Sequence, residues 1–368
     1  MTKKNKFQRI KKYNLLITNL LNLVLIQFFR CNFAKNITKS MPIHAFLSTL
    51  TTKKINNLLK NRVSYLLARL TKTAKISGMP VTLSIEPAAV CQLHCPECVL
   101  GSRHLQRTNR LLTEELYKKI IDQSADTLCY LMLYFQGEPF LAPDMCNLIA
   151  YARQKNIYTV TSTNAQNIDQ TLAEQICRSG LNKIIISLDG VTQNTYAKYR
   201  IGGQINKVFD ALKYINNTKK TLQISTPAIE LQFIVFRHNE HEITLFKQMA
   251  KTFDVQKVTI KTGQIYNYEH KQSLLPTSKR YSRYIIKNGV VQLKHRKGNH
   301  CLRQWQGGVV TVDGHLVPCC FDKNANFLFG NLQTHTLQSV WHGEAANRFR
   351  RQILQARQHV SICADCGE

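Results

Sequence analysis

Three closely spaced cysteines, at positions 91 to 98, are the side chains of this chain best suited to chemistry. Cys91, Cys95 and Cys98 stand at a C-x3-C-x2-C spacing. Three thiolates so close together can ligate three irons of a [4Fe–4S] cluster and leave the fourth iron open to another ligand. A zinc site is the alternative; it needs a fourth ligand, for which His94 is the local candidate.

A second group of cysteines lies in the C-terminal part of the chain. Cys301 precedes the adjacent pair Cys319 and Cys320, and Cys363 and Cys366 follow at a C-x2-C spacing. Four cysteines can fully ligate an iron–sulfur cluster or a tetrahedral zinc ion. Disulfide frameworks are typical of small secreted chains, whereas this chain has 368 residues. Metal ligation in a reducing cytoplasm is therefore the expected use of these cysteines.

Alternating strand and helix patterns must position the cysteines. Thr113 is expected to cap one helix, with Glu114 and Glu115 in its first turn, where the helix dipole favours acids. Such alternation predicts a parallel α/β sheet, open or curled into a barrel, whose chemistry lies at the carboxyl ends of its strands. Six apolar runs predict buried strands at 81–86, 127–135, 158–162, 183–188, 228–236 and 255–261.

The cysteine triplet after the first strand resembles the signature of the radical S-adenosylmethionine (SAM) superfamily. The resemblance implies a partial (β/α)6 barrel in which the open iron binds the amino and carboxylate groups of SAM. In that family the reduced cluster gives one electron to the sulfonium, and the resulting 5′-deoxyadenosyl radical abstracts a hydrogen atom. A reductant such as flavodoxin or ferredoxin is the implied partner. No residue of the sequence stands out as a catalytic acid or base.

Further strand ends resemble the SAM-binding elements of this superfamily. Gly137-Glu138-Pro139 is similar to its Gly-Glu-Pro element, whose backbone carbonyls meet the amino group of SAM. Thr163-Asn164-Ala165 is similar to its Thr-Asn-Gly element, although Ala165 departs from the glycine. Arg200 is expected to pair with the carboxylate of SAM. The expected SAM contacts are Gly137, Glu138, Pro139, Ser162, Asn164, Ser187 and Arg200.

The stretch SLDGVTQNTYAKYRIGG and the C-terminal cysteines resemble superfamily members with a SPASM or twitch extension. The resemblance implies a small cysteine-rich α+β module that holds an auxiliary [4Fe–4S] cluster. Cys320 is the reserve ligand, since neighbours on a regular strand point to opposite faces. Because no cysteine follows Cys366, one auxiliary cluster is expected, and two [4Fe–4S] clusters in all. The expected auxiliary ligands are Cys301, Cys319, Cys363 and Cys366.

Local patterns also predict how the C-terminal module folds. The run VVTVDGHLVP alternates apolar residues around Asp313-Gly314, which predicts a β-hairpin. Trp305 and Trp341 are expected to close a small core, which so short a module lacks without a metal.

The N-terminal part of the chain is basic and differs from the rest. Residues 1–80 contain 16 of the 50 Lys and Arg residues and no Asp or Glu. The apolar run 14–29 is too short and too polar for a membrane span of about 20 residues. It is open to three interpretations: a surface anchor with weak membrane association, a disordered extension, or untranslated sequence before a start at Met41, which we favour.

Residues 55–70 predict an amphipathic helix packed on the main domain through one apolar face. That face comprises Leu58, Leu59, Val63, Leu66 and Leu67. The expected organisation is a basic extension at 1–40, an amphipathic helical segment at 41–80, the barrel at 81–265, a linker at 266–300 and the SPASM/twitch module at 301–368.

The sequence supports several functions. The main expectation is dehydrogenation of a small sugar or cyclitol, because the single auxiliary cluster suggests oxidation of a substrate radical. The alternative is a peptide or protein maturase, against which we weigh the lack of a recognisable leader-binding domain before the barrel. A zinc-binding nucleic-acid or interaction protein is the alternative of another class. No nucleic-acid-reading motif accompanies the net charge of +28, so no nucleic-acid partner is predicted.

Overall fold

A computed structural model describes residues 43–107, 110–265, 271–295, 298–364 and 366–367. The predictions for residues 1–40 lie outside this part of the chain. Among the described residues, no helix is both long and apolar enough to cross a membrane.

The six predicted strands form one parallel sheet in the order of the sequence, which confirms the partial (β/α)6 barrel. Strands buried on both faces by helices need continuous apolar runs, and the fourth strand is buried along its whole length. The strands are β1 (Thr82–Ile85), β2 (Tyr130–Met132), β3 (Tyr158–Thr163), β4 (Lys183–Ser187), β5 (Ala228–Val235) and β6 (Lys257–Thr262).

Within the described residues, eight helices precede or connect these strands. The predicted cap is confirmed, because the Thr113 hydroxyl accepts a hydrogen bond from the backbone N–H of Leu116 at 3.4 Å. Short 3-10 turns also occur at Pro139–Leu141 and Glu240–Glu242. The helices are α1 (Ile43–Leu47), α2 (Thr52–Thr71), α3 (Glu114–Ser124), α4 (Met145–Gln154), α5 (Gln170–Arg178), α6 (Gln193–Tyr199), α7 (Ile205–Thr221) and α8 (Ile243–Met249).

The predicted packing face of α2 is wrong in part. Leu58 is buried as expected, but Val63, Leu66 and Leu67 are exposed. The helix instead turns polar groups inward: the Nδ2 atoms of Asn57 and Asn61 donate to the carbonyl of Met79 at 3.0 and 2.7 Å. The hydrophobic pattern could not reveal this, because the partner of both amides is a backbone carbonyl 18 or more residues away.

The segment 266–300 contains more than the expected linker. It contributes α9 (Lys271–Leu274) and an antiparallel hairpin of β7 (Tyr284–Lys287) and β8 (Val290–Leu293). Tyr284 and Leu293 are buried in the same apolar cluster as Cys95. The hairpin therefore packs beside the loop that bears the cysteine triplet.

The C-terminal module, residues 301–368, extends the barrel sheet. Its first strand pairs in parallel with β1, and the next two strands follow antiparallel, so that the sheet has nine strands. The predicted hairpin is confirmed, with Gly314 at its turn at a φ of +79°. The elements are α10 (Arg303–Gln306), β9 (Gly307–Val310), β10 (His315–Val317), β11 (Gly330–Asn331), α11 (Leu337–Trp341), α12 (Glu344–Ala356) and α13 (Ser361–Ala364).

The two tryptophans of this module do not close a core of its own. Trp305 packs edge-on against Tyr65 of α2, with ring centroids 5.4 Å apart. The Trp341 indole donates to the carbonyl of Gly78 at 2.9 Å. Both side chains are fully buried in the main apolar cluster of the molecule. The module thus shares its core with the N-terminal segment and the barrel, because its sheet continues theirs.

We expect Gly307→Ala to lower the free energy of unfolding by about 3 kcal/mol, as overpacking of a tight contact does. A Cβ at position 307 would lie 1.7 Å from the carbonyl oxygen of Thr82, where β9 pairs with β1. Gly298→Ala is the control, since its nearest neighbour would be the His300 ring at 3.6 Å. Urea unfolding measures both variants, and equal stability of the two would contradict the tight contact.

Candidate functional site

A cavity of about 370 Å³ lies at the carboxyl ends of the barrel strands. This volume is in the usual range for small-molecule sites. Cys91, Cys95 and Cys98 line it together with most of the expected SAM contacts. Pro139 is the exception, because it begins the buried 3-10 turn that follows β2. The expected SAM contacts that line the cavity are Gly137, Glu138, Ser162, Asn164, Ser187 and Arg200.

The thiol of Cys91 is held by hydrogen-bond donors. The backbone N–H of Leu93 points to its sulfur at 3.4 Å, and the Asn164 amide points to it at 3.6 Å. Burial raises the pKa of the Cys91 thiol to about 12. Because iron binds the thiolate, the charge of a metal must displace this proton on ligation. The two donors would then stabilise the sulfur's negative charge.

Arg200 lies beside Cys95 and is anchored by a buried carboxylate. Its Nε and Nη2 atoms both lie 2.6 Å from Oδ2 of Asp189, while Nη1 lies 3.8 Å from the sulfur of Cys95. Asp189 also accepts from the backbone N–H of Ile234 at 2.6 Å. One edge of the guanidinium is therefore occupied, and its other amino group faces the triplet. Pairing of Arg200 with the SAM carboxylate stays a prediction.

Glu138 braces the ends of two neighbouring strands. Its carboxylate accepts from the Thr163 hydroxyl at 2.6 Å and from the backbone N–H groups of Asn164 and Phe140 at 2.8 and 3.3 Å. The side chain is thus turned inward, and the residue is only 3% exposed. This leaves the backbone of the Gly-Glu-Pro element, rather than the carboxylate, to meet a cofactor.

Gly137 and Ala165, after the neighbouring strands β2 and β3, both have a left-handed backbone conformation, which favours small residues. Gly137 has a φ of +78°, and a Cβ on it would lie 2.2 Å from the carbonyl oxygen of Ala88. Ala165, which replaces the superfamily's glycine, also has a positive φ, of +58°. The left-handed conformation costs an ordinary residue about 1–2 kcal/mol. Position 165 therefore keeps the geometry of the glycine despite the substitution.

Glu86, a buried acid near the cavity, accepts four hydrogen bonds and was not identified from the sequence. Arg107 donates to its two oxygens at 2.8 and 2.9 Å. The backbone N–H groups of Gln136 and Val312 donate to the same carboxylate at 3.3 and 3.0 Å. Burial raises the pKa of Glu86, and the bonds from Arg107 oppose that rise. The only signal in the sequence is an acid directly after a buried strand.

This carboxylate joins three parts of the molecule. Arg107 follows the cysteine triplet, Gln136 precedes the Gly-Glu-Pro element, and Val312 lies in the hairpin turn of the C-terminal module. The Nε atom of Arg107 also donates to the carbonyl of Lys323 in that module, at 2.8 Å. Glu86 and Arg107 therefore fix the C-terminal module to the wall of the cavity.

The expected auxiliary ligands are related to one another through Arg357 and Cys301, and their ligand role stays a prediction. Arg357 donates to the sulfur of Cys366 at 3.2 Å and lies within electrostatic range of Cys301 and Cys363. Cys319 is within electrostatic range of Cys301 in turn. Burial raises the pKa of Cys363 to about 11, and Arg357 opposes the rise.

Cys320, the reserve ligand, differs from its neighbour. It is exposed, and its sulfur accepts from Nη1 of Arg303 at 3.2 Å. The preceding strand, β10, ends at Val317, so Cys319 and Cys320 lie beyond it. Side chains of neighbouring residues need not point to opposite faces outside a regular strand. The choice of Cys319 over Cys320 stays a prediction.

Several further side chains of the cavity wall were not identified from the sequence, and four of them are polar or charged groups of interest: Tyr134, Lys261, Arg283 and Lys323. Tyr134 follows β2 by two residues and Lys261 is the penultimate residue of β6, so their positions at strand ends were a signal in the sequence. Arg283 precedes the hairpin and Lys323 belongs to the C-terminal module, and no local pattern marks either. Burial lowers the pKa of Lys323, and the nearby Cys98, Cys320 and Glu97 oppose this.

The donor chemistry of the triplet suits an iron–sulfur cluster better than zinc. Three thiols share the cavity, and Gly101 lets the chain fold closely over them, since a Cβ there would lie 2.6 Å from the backbone nitrogen of Cys95. His94, the fourth ligand that zinc would need, is exposed and lies outside the cavity lining. A cluster held by three thiols with an open iron fits these residues.

Comparison with known families agrees with this geometry. The Radical SAM superfamily model matches residues 85–227, and the model of the SPASM iron–sulfur cluster-binding domain matches residues 301–367. The chain is therefore a radical SAM enzyme. More particularly, it belongs to the radical SAM proteins that carry a C-terminal SPASM domain, and its cofactors are [4Fe–4S] clusters and SAM.

Curated relatives and solved structures share most of their length with this chain. The PqqA peptide cyclase of Gluconobacter oxydans is 26% identical over 288 residues, 71% of this chain and 76% of the cyclase. Streptococcus suis SuiB, solved with S-adenosylmethionine and also with its precursor peptide SuiA, is 17% identical and superposes at a TM-score of 0.60 over 85% of this chain and 76% of SuiB. BtrN, solved with AdoMet and 2-DOIA, is 15% identical at a TM-score of 0.51, covering 80% of this chain and 95% of BtrN. Likeness at such identities establishes the fold alone.

Gly137→Ala should abolish SAM binding, because its Cβ cannot fit beside the Ala88 carbonyl without moving the Gly-Glu-Pro backbone. Ala165→Gly is the control: it relieves a left-handed alanine and should leave SAM affinity within about twofold. Equilibrium dialysis of SAM against the reconstituted proteins measures both. Unchanged affinity in the Gly137 variant would refute the assigned SAM-binding role.

Glu86→Gln should lower the free energy of unfolding by about 3 kcal/mol or more, since it leaves the buried Arg107 without its counter-charge. Asp126→Asn is the control; it breaks an exposed pair with Lys53 and should cost less than about 1 kcal/mol. Urea unfolding of both variants, read by tryptophan fluorescence, tests the difference. Similar losses would show that Glu86 does not fix the module.

Proposed function

We propose that this radical SAM enzyme modifies a peptide or protein by hydrogen-atom abstraction. The observation that carries the radical chemistry is the set of three cysteine thiols and the ends of strands β2 to β6 around one cavity. The peptide substrate is supported by the relatives, among which PqqA peptide cyclases recur in two species at 26% and 23% identity. The fold shared with SuiB is compatible with this substrate class.

The preference for a sugar or cyclitol dehydrogenation is thereby reversed. It depended on an expected single auxiliary cluster and on the lack of a recognisable leader-binding domain, and neither feature distinguishes the substrates here. BtrN, whose solved complex contains 2-DOIA, matches this chain at 15% identity. This likeness supports a common fold and says nothing about a common substrate. A zinc-binding interaction protein is disfavoured by the position of His94 outside the cavity.

The residues of the chain have separate tasks in this proposal. Cys91, Cys95 and Cys98 would hold the reducing cluster, which when bound with SAM supplies the radical that abstracts hydrogen. The backbone at Gly137 and the side chain of Asn164 would position SAM against the cluster. Glu138 and Glu86 hold these segments rigidly, so that the reacting atoms meet in one orientation. The barrel walls would limit access of solvent to the radical, which protects it from side reactions.

The C-terminal module would take part in the site through two groups. Its cysteines Cys301, Cys319, Cys363 and Cys366 would hold an auxiliary cluster. Its Lys323 lines the same cavity as the triplet, so a substrate there would contact the module directly. An electron-accepting cluster beside the substrate suits oxidation of a substrate radical, the outcome that a peptide crosslink requires. A small electron-carrier protein would supply the reducing electron.

Deuterium transfer tests the substrate class. The anaerobically reconstituted enzyme is given SAM, dithionite and either a side-chain-deuterated peptide encoded beside its gene or a deuterated cyclitol. We expect deuterium in 5′-deoxyadenosine from the peptide only. Transfer from the cyclitol alone would overturn the peptide proposal while leaving the radical chemistry intact. Zinc in place of iron in the purified protein would overturn both.

Cys95→Ala should abolish reductive cleavage of SAM while the protein keeps the iron of the C-terminal module, about half of a total near eight iron atoms. Cys177→Ala is the matched control, because Cys177 is also a buried cysteine but lies on α5 away from the cavity. The measurements are 5′-deoxyadenosine by chromatography and iron by absorption. Cleavage retained by the Cys95 variant would remove the triplet from the proposal.

A further inference from the structure

The solvent-facing side of α2 carries an apolar stripe that the described part of the chain leaves exposed. Val63, Leu66, Leu67 and Leu70 follow a spacing of three, one and three residues, which places them on one face of a helix. They are 54%, 44%, 54% and 80% exposed. Single exposed apolar residues are ordinary, but a contiguous row of four marks an interaction surface.

The helix does not need this stripe to pack on the barrel. Its inner side is formed by Leu58, Tyr65 and Ala68, all buried, and by the two asparagines bonded to the Met79 carbonyl. The stripe, defined as Val63, Leu66, Leu67 and Leu70, is therefore available for a contact outside the barrel. It is separate from the apolar face that holds the helix in place.

The charges around the stripe select one kind of partner. Lys60 precedes it, Arg69 lies within it along the chain, and Lys72 and Lys75 follow, all exposed. At 100° per residue, Lys60 and Arg69 fall on opposite edges of the stripe. Residues 1–80 contain no Asp or Glu at all. An apolar row bordered by cations and free of acids complements an anionic lipid surface, into which the leucines dip while the cations meet the headgroups.

The position of α2 suits such a contact. Lys53 pairs with Asp126 at 2.7 Å, and Lys54 donates to the carbonyl of Asn156 at 2.6 Å. Asp126 and Asn156 lie four and two residues before β2 and β3, so the helix lies at the amino ends of these barrel strands. The cavity lies at the carboxyl ends. A surface held by α2 would therefore leave the entrance of the cavity uncovered.

We propose that the stripe on α2 docks the enzyme on an anionic membrane surface. The contact is peripheral: one helix lies in the interface, and binding depends on both the apolar row and the bordering cations. It is independent of the peptide substrate and of the radical chemistry, because no residue of the stripe lines the cavity.

Sedimentation with vesicles tests the proposal on the full-length reconstituted enzyme. The vesicles contain phosphatidylcholine and phosphatidylglycerol at about three to one, or phosphatidylcholine alone. We expect binding to the anionic vesicles only. The double variant Leu67→Ser/Leu70→Ser should weaken binding by about tenfold or more. Leu245→Ser is the matched control, since Leu245 is a 51% exposed leucine on α8, and it should bind as the wild type does.

Other occupants of the stripe give different results. If the stripe joins two copies of the chain, light scattering without vesicles will show a dimer that the double variant dissociates. If the apolar run 14–29 alone holds the membrane, the double variant will bind as tightly as the wild type. Each of these two results would overturn the proposal. Equal binding to both vesicle types would also overturn it, as would the lack of any binding. SAM cleavage, unchanged in the double variant, confirms that it is folded.

Discussion

A buried carboxylate organises the catalytic side of this protein. Glu86 stands at the end of the first barrel strand with no exposure to solvent and accepts four hydrogen bonds. A carboxylate without water must have its charge met by donors, and here the donors come from three separate segments. Satisfying this one group therefore sets the positions of the segment after the triplet, the end of β2 and the C-terminal module relative to one another.

The same principle recurs at two neighbouring acids. Glu138 accepts two hydrogen bonds from the end of β3 and a third from Phe140 after β2. Asp189 holds Arg200 beside Cys95. These three carboxylates support the site without touching a substrate. The hydrogen bonds that each buried charge requires fix the position of a strand end or of a neighbouring side chain. Radical chemistry depends on such rigidity, since a misplaced radical attacks the protein or solvent.

Much of the fold and the site could be predicted from local patterns. The six strands follow from apolar runs, the hairpin from Asp313-Gly314, and the cluster from the spacing of Cys91, Cys95 and Cys98. The hairpin β7–β8 was missed although Asn288-Gly289 joins two apolar runs, YIIK and VVQL, because the surrounding segment 266–300 is basic and polar and was interpreted as a linker. The face of α2 was misjudged because Asn57 and Asn61 bury their amides against a backbone carbonyl, which no hydrophobic pattern encodes.

The sequence by itself determined the class of chemistry, because ligand spacing within one loop is a local property. Three thiolates no more than seven residues apart can serve one cluster. It also determined the strands whose ends carry Gly137, Asn164 and Ser187. Only the tertiary structure decided that the C-terminal module continues the barrel sheet and brings Lys323 to the cavity. That arrangement depends on pairing of β9 with β1, more than 220 residues apart in the chain, and long-range backbone pairing leaves no local trace.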